Sequence, residues 1–275
     1  MPGPLGHGPT TDERATGATC TAAARSGGTT QRRSAVAARS DSGHTVGMTN
    51  FVLVHGGFVG GWYWRETAAL LEKDGHRVHV VEQMPSAGRD PARLGDLRGD
   101  ADAVRQAVEA VGEPVVLVGH SYGGMVITEL ADHPAVAHTV YLSAFWPQRG
   151  QSLGDMLGDG PLPSWIVPHD NGTVTVTDDL GVAREALCAD LEPDRAAEEL
   201  RRLIPQSMSS LGSPSSAPER THPTTYIICE QDNAVPVAVQ EQMAAAANRV
   251  ERLPSSHQPM ASMPNKLAEA LGRVR

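Results

Sequence analysis

The chain has 275 residues, 40% of them hydrophobic, and carries 23 basic against 32 acidic residues for a net charge of −9. That is ample material for one large core. Phosphate and anionic membranes are bound by clustered Lys and Arg, so nucleic acid and membrane are not expected partners. No apolar run approaches the roughly 20 residues that span a bilayer.

Residues 1 to 47 are rich in Ala, Gly, Thr, Ser and Arg with hardly any large apolar side chain, a composition that predicts a disordered extension. They hold five Arg against Asp12, Glu13 and Asp41, so the remainder is more acidic still. No continuous apolar stretch marks a secretory leader, and Met48 offers an alternative start three residues before the first strand. Three scattered cysteines, Cys20, Cys188 and Cys229, supply neither a zinc-type ligand pair nor an even-numbered disulfide framework. The expectation is a soluble cytoplasmic protein, one domain over residues 48–275, with no metal and no cofactor. Oligomeric state leaves no mark in the pattern.

From Met48 onward, strands and helices alternate. Phe51 to Val54 reads as a strand ended by His55-Gly56-Gly57, followed by a helix from about Trp62 to Lys73 that Gly75 would cap. Arg77 to Val81 is the second strand. Leu97, Ala101, Val104, Val108 and Val111 have the spacing of an amphipathic helix that Gly112 and Pro114 stop. Val115 to Val118 is a third strand, and Met125 to Asp132 is helix-compatible. Thr139 to Ser143, Thr225 to Cys229 and Arg249 to Leu253 make three more strands. Between Pro147 and Pro223 no strand of comparable strength occurs, while Val182 to Leu191 and Asp194 to Ile204 have helical patterns. This predicts an α/β fold of about six mostly parallel strands, with a helical cap inserted after the fourth over about 147–223. Ligands of such sheets bind beyond the carboxyl ends of the strands.

Gly119-His120-Ser121-Tyr122-Gly123 falls between the third strand and its helix. A serine on a sharp strand-to-helix turn needs small neighbours, and Gly119 and Gly123 supply them. A serine hydroxyl is a poor nucleophile until an imidazole takes its proton, and that imidazole needs an acid to orient it. Asp232 follows the fifth strand and His257 the sixth, in the order Ser, acid, His. Glu230 is the runner-up acid, although it abuts the strand; for Asp232 the bland alternative is a turn-forming Asx residue. His55 and His120 are assigned to turn support. The N–H groups of Tyr122 and Gly57 are the candidate donors to a developing oxyanion, against an ordinary tight turn for the Gly56-Gly57 pair. Met125, Trp146, Met156 and Trp165 suggest an apolar acyl or alcohol site, with core or cap packing as the plainer reading.

These pieces resemble the α/β-hydrolase superfamily, and within it the small serine esterases that include plant methyl esterases and hydroxynitrile lyases. The resemblance runs from Phe51 to the C-terminus. It is carried by Phe51-Val-Leu-Val-His-Gly-Gly57 with Gly61-Trp-Tyr-Trp64, by Leu117-Val-Gly-His-Ser-Tyr-Gly-Gly-Met125, by Tyr226-Ile-Ile-Cys-Glu-Gln-Asp232 with Pro236 and Gln240, and by His257 with Met260. It implies Ser121, Asp232 and His257 as triad and Gly57 and Tyr122 as oxyanion donors, acting on a small-molecule ester or lactone. The lyases of this branch have Thr directly after the first-motif His and Lys directly after the catalytic His. Here Gly56 and Gln258 hold those positions, so cyanohydrin cleavage lacks its helpers. The fold alone leaves two alternatives open, a cofactor-free C–C hydrolase or perhydrolase on the same triad and a non-catalytic ligand-binding protein.

Overall fold

The structure is a computed structural model that describes residues 47–274. The expected disordered extension, residues 1–47, lies outside the described residues except for Gly47. In order, the chain forms β1 (Asn50–Val54), α1 (Arg65–Lys73, entered by a 3-10 turn at Gly61–Trp64), β2 (Arg77–Val80), α2 (Leu97–Val111), β3 (Val115–His120), α3 (Gly123–Thr128) and β4 (Val136–Leu142). After the cap, β8 (Thr224–Cys229), α8 (Val237–Ala244), β9 (Arg249–Leu253), α9 (Pro259–Ser262) and α10 (Pro264–Gly272) complete it.

The main sheet has six strands in the order β2-β1-β3-β4-β8-β9, every neighbouring pair parallel. A parallel sheet is covered on both faces, and its strands read as continuous apolar runs. β1, β3 and β8 are buried at every position. Alternate residues then serve opposite cores. Val52, Val54 and Leu117 pack with α2 and α3 through Val104, Val108 and Ile127, whereas Phe51, Leu53, Val116 and Val118 pack with α1 and α10 through Leu71 and Leu267. α2 ends at the expected Gly112, which takes a left-handed φ of 69°, and at its start Asp96 Oδ1 accepts from Gly99 N–H at 3.0 Å, a cap the sequence analysis did not name.

The cap between β4 and β8 contains α4 (Leu153–Leu157), β5 (Ile166–Pro168), β6 (Thr173–Val176), α5 (Leu180–Leu187), α6 (Pro193–Leu200), β7 (Gln206–Ser207) and α7 (Met208–Gly212). The two expected helices are α5 and α6. The small antiparallel sheet β5-β6-β7 is an addition to the expected helical cap. Its strands run for only two to four residues and show no periodicity long enough to read. Among the described residues no helix is long and apolar enough to cross a membrane.

Candidate active site

Register brings the site together. Val54 pairs with Gly119 and His120 with Leu142, so β1, β3 and β4 end at one edge, where the chain turns at Ser121. Ser121 has a φ of 51°, a left-handed conformation that a non-glycine residue adopts only when its surroundings enforce it. The enforcement is visible in hydrogen bonds: Ser121 N–H donates to Leu142 O at 3.2 Å, and Ser121 O accepts from Gly124 N–H at 3.0 Å and Phe145 N–H at 3.1 Å. A Cβ at Gly119 would lie 2.7 Å from Gly123 O, and one at Gly123 would lie 2.7 Å from His55 O. Gly124, which entered only within the family motif, is as constrained, since a Cβ there would collide with Phe145 O.

β8 and β9 lie side by side, with Cys229 paired to Leu253, and the pairing continues past both strands: Gln231 N–H donates to Ser255 O at 2.9 Å. Asp232 and His257 therefore emerge together. His257 Nδ1 is 2.7 Å from Asp232 Oδ2, and its Nε2 is 2.9 Å from Ser121 Oγ. With Nδ1–H donating to the carboxylate, Nε2 presents its lone pair to the serine hydroxyl. All three predicted residues are brought into one hydrogen-bonded chain. Glu230 is exposed and lies 3.9 Å from Arg252 as an ion pair, so the runner-up acid faces away.

Asp232 is 3% exposed, and a buried carboxylate requires donors. Its Oδ1 accepts from Ala234 N–H at 2.8 Å and Val235 N–H at 2.9 Å; its Oδ2 accepts from Gln240 Nε2 at 3.1 Å, from Ser143 Oγ and from His257. Ser143 and Gln240 carry no motif that marks them as partners of the acid. Gln240 entered only within the family resemblance, and Ser143 only as the end of a strand.

His55 and His120 do support the turns. His55 Nδ1–H donates to Gly56 O at 2.8 Å and its Nε2 accepts from Met84 N–H at 3.2 Å. Burial pushes its pKa from 6.5 down to about 4. His120 Nε2–H donates to the His257 carbonyl at 2.9 Å, holding the backbone of that residue in place. Burial drives His120 well below 6.5 too, aided by the neighbouring His257. Both imidazoles are neutral supports. The bare Cα of Gly56 is required, because a Cβ would sit 2.8 Å from His120 Nδ1 and 3.0 Å from Ser121 Cβ.

The N–H groups of Gly57 and Tyr122 have no acceptor among the described residues, and both residues line a cavity with Ser121 and His257. Its walls are chiefly apolar, formed by Phe58, Phe145, Leu153, Trp165, Ile166 and Leu211, with Gln206 and Gln258 as polar exceptions. Of the four apolar residues singled out in the sequence, only Trp165 is in that wall. Met125 is fully buried in the core, Trp146 stacks on Tyr141 with centroids 4.4 Å apart, and Met156 packs at the core's margin. On the other side of Tyr122, its phenol donates to Asp100 Oδ2 at 2.7 Å, and Asp100 also accepts from Ser86 N–H at 2.8 Å and from Ser86 Oγ. Burial raises the Asp100 pKa, with the Ser86 and Tyr122 donors opposing the rise. Nothing in the sequence marks this second acid.

A parallel sheet whose strand ends carry a strained serine, an imidazole and a buried acid defines a class. The alpha/beta hydrolase family model matches residues 51–270, and the chain belongs to that family, in its esterase branch. It is 32% identical over 249 residues, 82% of this chain and 100% of the relative, to a carbendazim hydrolyzing esterase of Nocardioides sp. (strain SG-4G). To polyneuridine aldehyde esterase of Rauvolfia serpentina it is 27% identical over 248 residues, 81% of this chain and 94% of that one. The crystal structure of a pyrethroid hydrolase from Sphingobium faniae JZ-2 matches with a TM-score of 0.70 at 27% identity, covering 82% of this chain and 96% of the other.

Proposed function

We propose that the protein is a serine hydrolase that cleaves the carboxylic ester or lactone of a small, largely apolar molecule through an acyl-enzyme. Ser121 Oγ attacks the carbonyl carbon while His257 Nε2 takes its proton, and Asp232 holds the imidazole in the required tautomer and stabilises it when charged. The N–H groups of Gly57 and Tyr122 receive the oxyanion, each such donor being worth ~2.7–4 kcal/mol in comparable sites. The bond to the alcohol oxygen breaks as His257 returns the proton to it. Water then repeats the steps on the acyl-serine and releases the acid. The observation that carries this reading is the 2.7 Å and 2.9 Å chain from Asp232 through His257 to Ser121 at the wall of an apolar cavity. The esterase and hydrolase names of the relatives support the same chemistry. Residues 48–275 are its hydrolase domain, and about 147–223 the cap that shapes the substrate pocket.

Two measurements test it. An organophosphonate should label the wild-type protein at Ser121 and leave Ser121→Ala unlabelled. On a panel of esters, lactones and β-diketones, turnover of esters or lactones should be lost in Ser121→Ala and in His257→Ala. The double variant should lose little more, because the members act as one unit. Ester turnover by Ser121→Ala close to the wild-type rate sinks the proposal, and cleavage of the β-diketones alone replaces it with C–C hydrolysis.

A further inference from the structure

Gln206 is 1% exposed and lines the cavity beside Ser121, yet no group among the described residues donates to its Oε1. Its amide nitrogen is fully used: Nε2 donates to Ser86 Oγ at 2.7 Å and to Ser210 Oγ at 2.9 Å. Those two hydroxyls have already committed their protons, Ser86 to Asp100 and Ser210 to Ser207 O at 2.7 Å. Each therefore turns a lone pair toward Gln206. Rotating the amide by half a turn would set Oε1 against two lone pairs, so the network fixes which end is the oxygen. The backbone is fixed as well, since Gln206 is bridged to Val174 on one side and Ala87 on the other. Gln258, the other glutamine of the wall, also has an Oε1 without a donor among the described residues, but no group among them holds its amide nitrogen, so it is not oriented in this way.

Packing does not require a glycine beside this buried oxygen. A Cβ built on Gly57 would meet only ordinary contacts, Tyr122 Cβ at 3.8 Å and Gln206 Oε1 at 3.9 Å, in contrast to the tight approaches at Gly56. The protein could place a methyl group there and leaves the position bare. An acceptor left unpaired in an apolar wall is destabilising unless water or a ligand supplies a donor.

Resting on the esterase reading, we propose that Gln206 Oε1 is a specificity determinant that accepts a hydrogen bond from the substrate's acyl group, and that the preferred esters carry a hydroxyl on the carbon next to the scissile carbonyl. Gly57 N–H holds the carbonyl oxygen, and His257 handles the departing alcohol. The third substituent of that carbon, the acyl chain, is the part left to meet a group beside Gly57. An ester without the hydroxyl would leave Oε1 buried and unpaired, the situation in which enzymes discriminate strongly against the analogue lacking a donor.

The test compares kcat/KM for methyl mandelate and methyl phenylacetate, which differ by that hydroxyl alone. Taking the hydroxy-to-deoxy ratio in each protein and dividing wild type by variant removes the intrinsic reactivity of the two esters. The ratio should fall roughly tenfold in Gln206→Met, which keeps the length and loses the acceptor. It should fall by a smaller factor in Ser210→Ala, which frees the amide to turn, and in Gly57→Ala, which covers Oε1; these two serve if Gln206→Met does not fold. The same ratio in wild type and in every folded variant overturns the proposal. Should the wild type cleave neither ester nor any ester or lactone of the panel above, the esterase reading has failed separately. The ratio of dissociation constants for the two esters on Ser121→Ala and on Ser121→Ala/Ser210→Ala then decides the role of Gln206 in the same way.

Discussion

Asp232 reaches Ser121 through His257, and Asp100 reaches the neighbouring Tyr122 through its phenol. Both carboxylates are buried, at 3% and 0% exposure, but the protein surrounds them differently. Asp232 receives five donors, two of them backbone N–H groups of its own turn, and all sit on the β4, β8 and β9 side of the sheet edge. Among the described residues Asp100 receives donors only from Ser86 and Tyr122, and its pKa is raised by burial. The network then runs on into the cap and ends at an oxygen with no donor among the described residues. One side is closed within the main fold. The other is anchored in the fold and, on the proposals above, completed by what binds, a division that would separate reaction from selection within one cavity.

The largest effect that could break this comparison is the replacement of each acid by its amide. Asp232→Asn should lower kcat on the best ester by about 10⁴, because an amide nitrogen facing Nδ1 selects the wrong tautomer. Asp100→Asn should change kcat less than tenfold and instead lower the unfolding free energy by about 1–3 kcal/mol, as a buried network loses its charge-assisted bonds. Steady-state kinetics and urea unfolding on both variants separate the two. Equal losses of kcat would mean that Asp100 belongs to the reaction.

A second expected effect concerns the neutral imidazoles under the turns. His55 has a folded pKa of about 4 against 6.5 for the free side chain, so unfolding takes up a proton between those values. Stability is then present in full above about pH 6.5 and is lost as pH falls toward 4, by about 3 kcal/mol for this group alone. His120 shifts in the same direction. Urea midpoints measured from pH 7.5 to 4.5 should fall, and His55→Gln, which takes up no proton, should show a shallower fall from a lower starting value. An identical slope in both proteins would remove His55 from the account.

The reaction side was legible in the sequence because each of its pieces is fixed by local backbone. Buried runs ending in Gly-X-Ser-X-Gly and in Glu-Gln-Asp, and the charged edge strand Arg249–Leu253 before Ser-Ser-His, place three side chains at strand ends, and parallel pairing does the rest. Glycine at 119 and 123 signals a turn that excludes a Cβ. The selection side was not legible, since Asp100, Ser86, Gln206 and Ser210 are ordinary polar residues up to 124 positions apart that meet only when β7 of the cap crosses the loop after β2. β7 itself is two residues long. Ser143 was missed for a different reason. It ends a strand without a signature, and its function as a donor depends on a backbone conformation the sequence does not announce.

That residue provides the smallest and sharpest test of the closed side. Ser143 Oγ donates to Asp232 Oδ2 and lies 3.2 Å from His257 Nδ1, so it holds the carboxylate and imidazole in line without touching substrate. Its φ of 43° is left-handed, a conformation costing a non-glycine residue roughly 1–2 kcal/mol. Two substitutions therefore pull the hydroxyl and the backbone apart. Ser143→Ala removes the donor and keeps the strain; Ser143→Gly removes the donor and relieves it. If the hydroxyl positions the acid, both variants should lose about tenfold in kcat with KM unchanged, since one hydrogen bond to a charged group is worth about 1.5–3 kcal/mol and four donors remain. Their stabilities should differ, with glycine above alanine by roughly 1 kcal/mol in urea unfolding. If instead glycine kept wild-type kcat and alanine alone lost it, the left-handed turn would be what holds Asp232 and His257 in line, and the hydroxyl would only satisfy a carboxylate already in place.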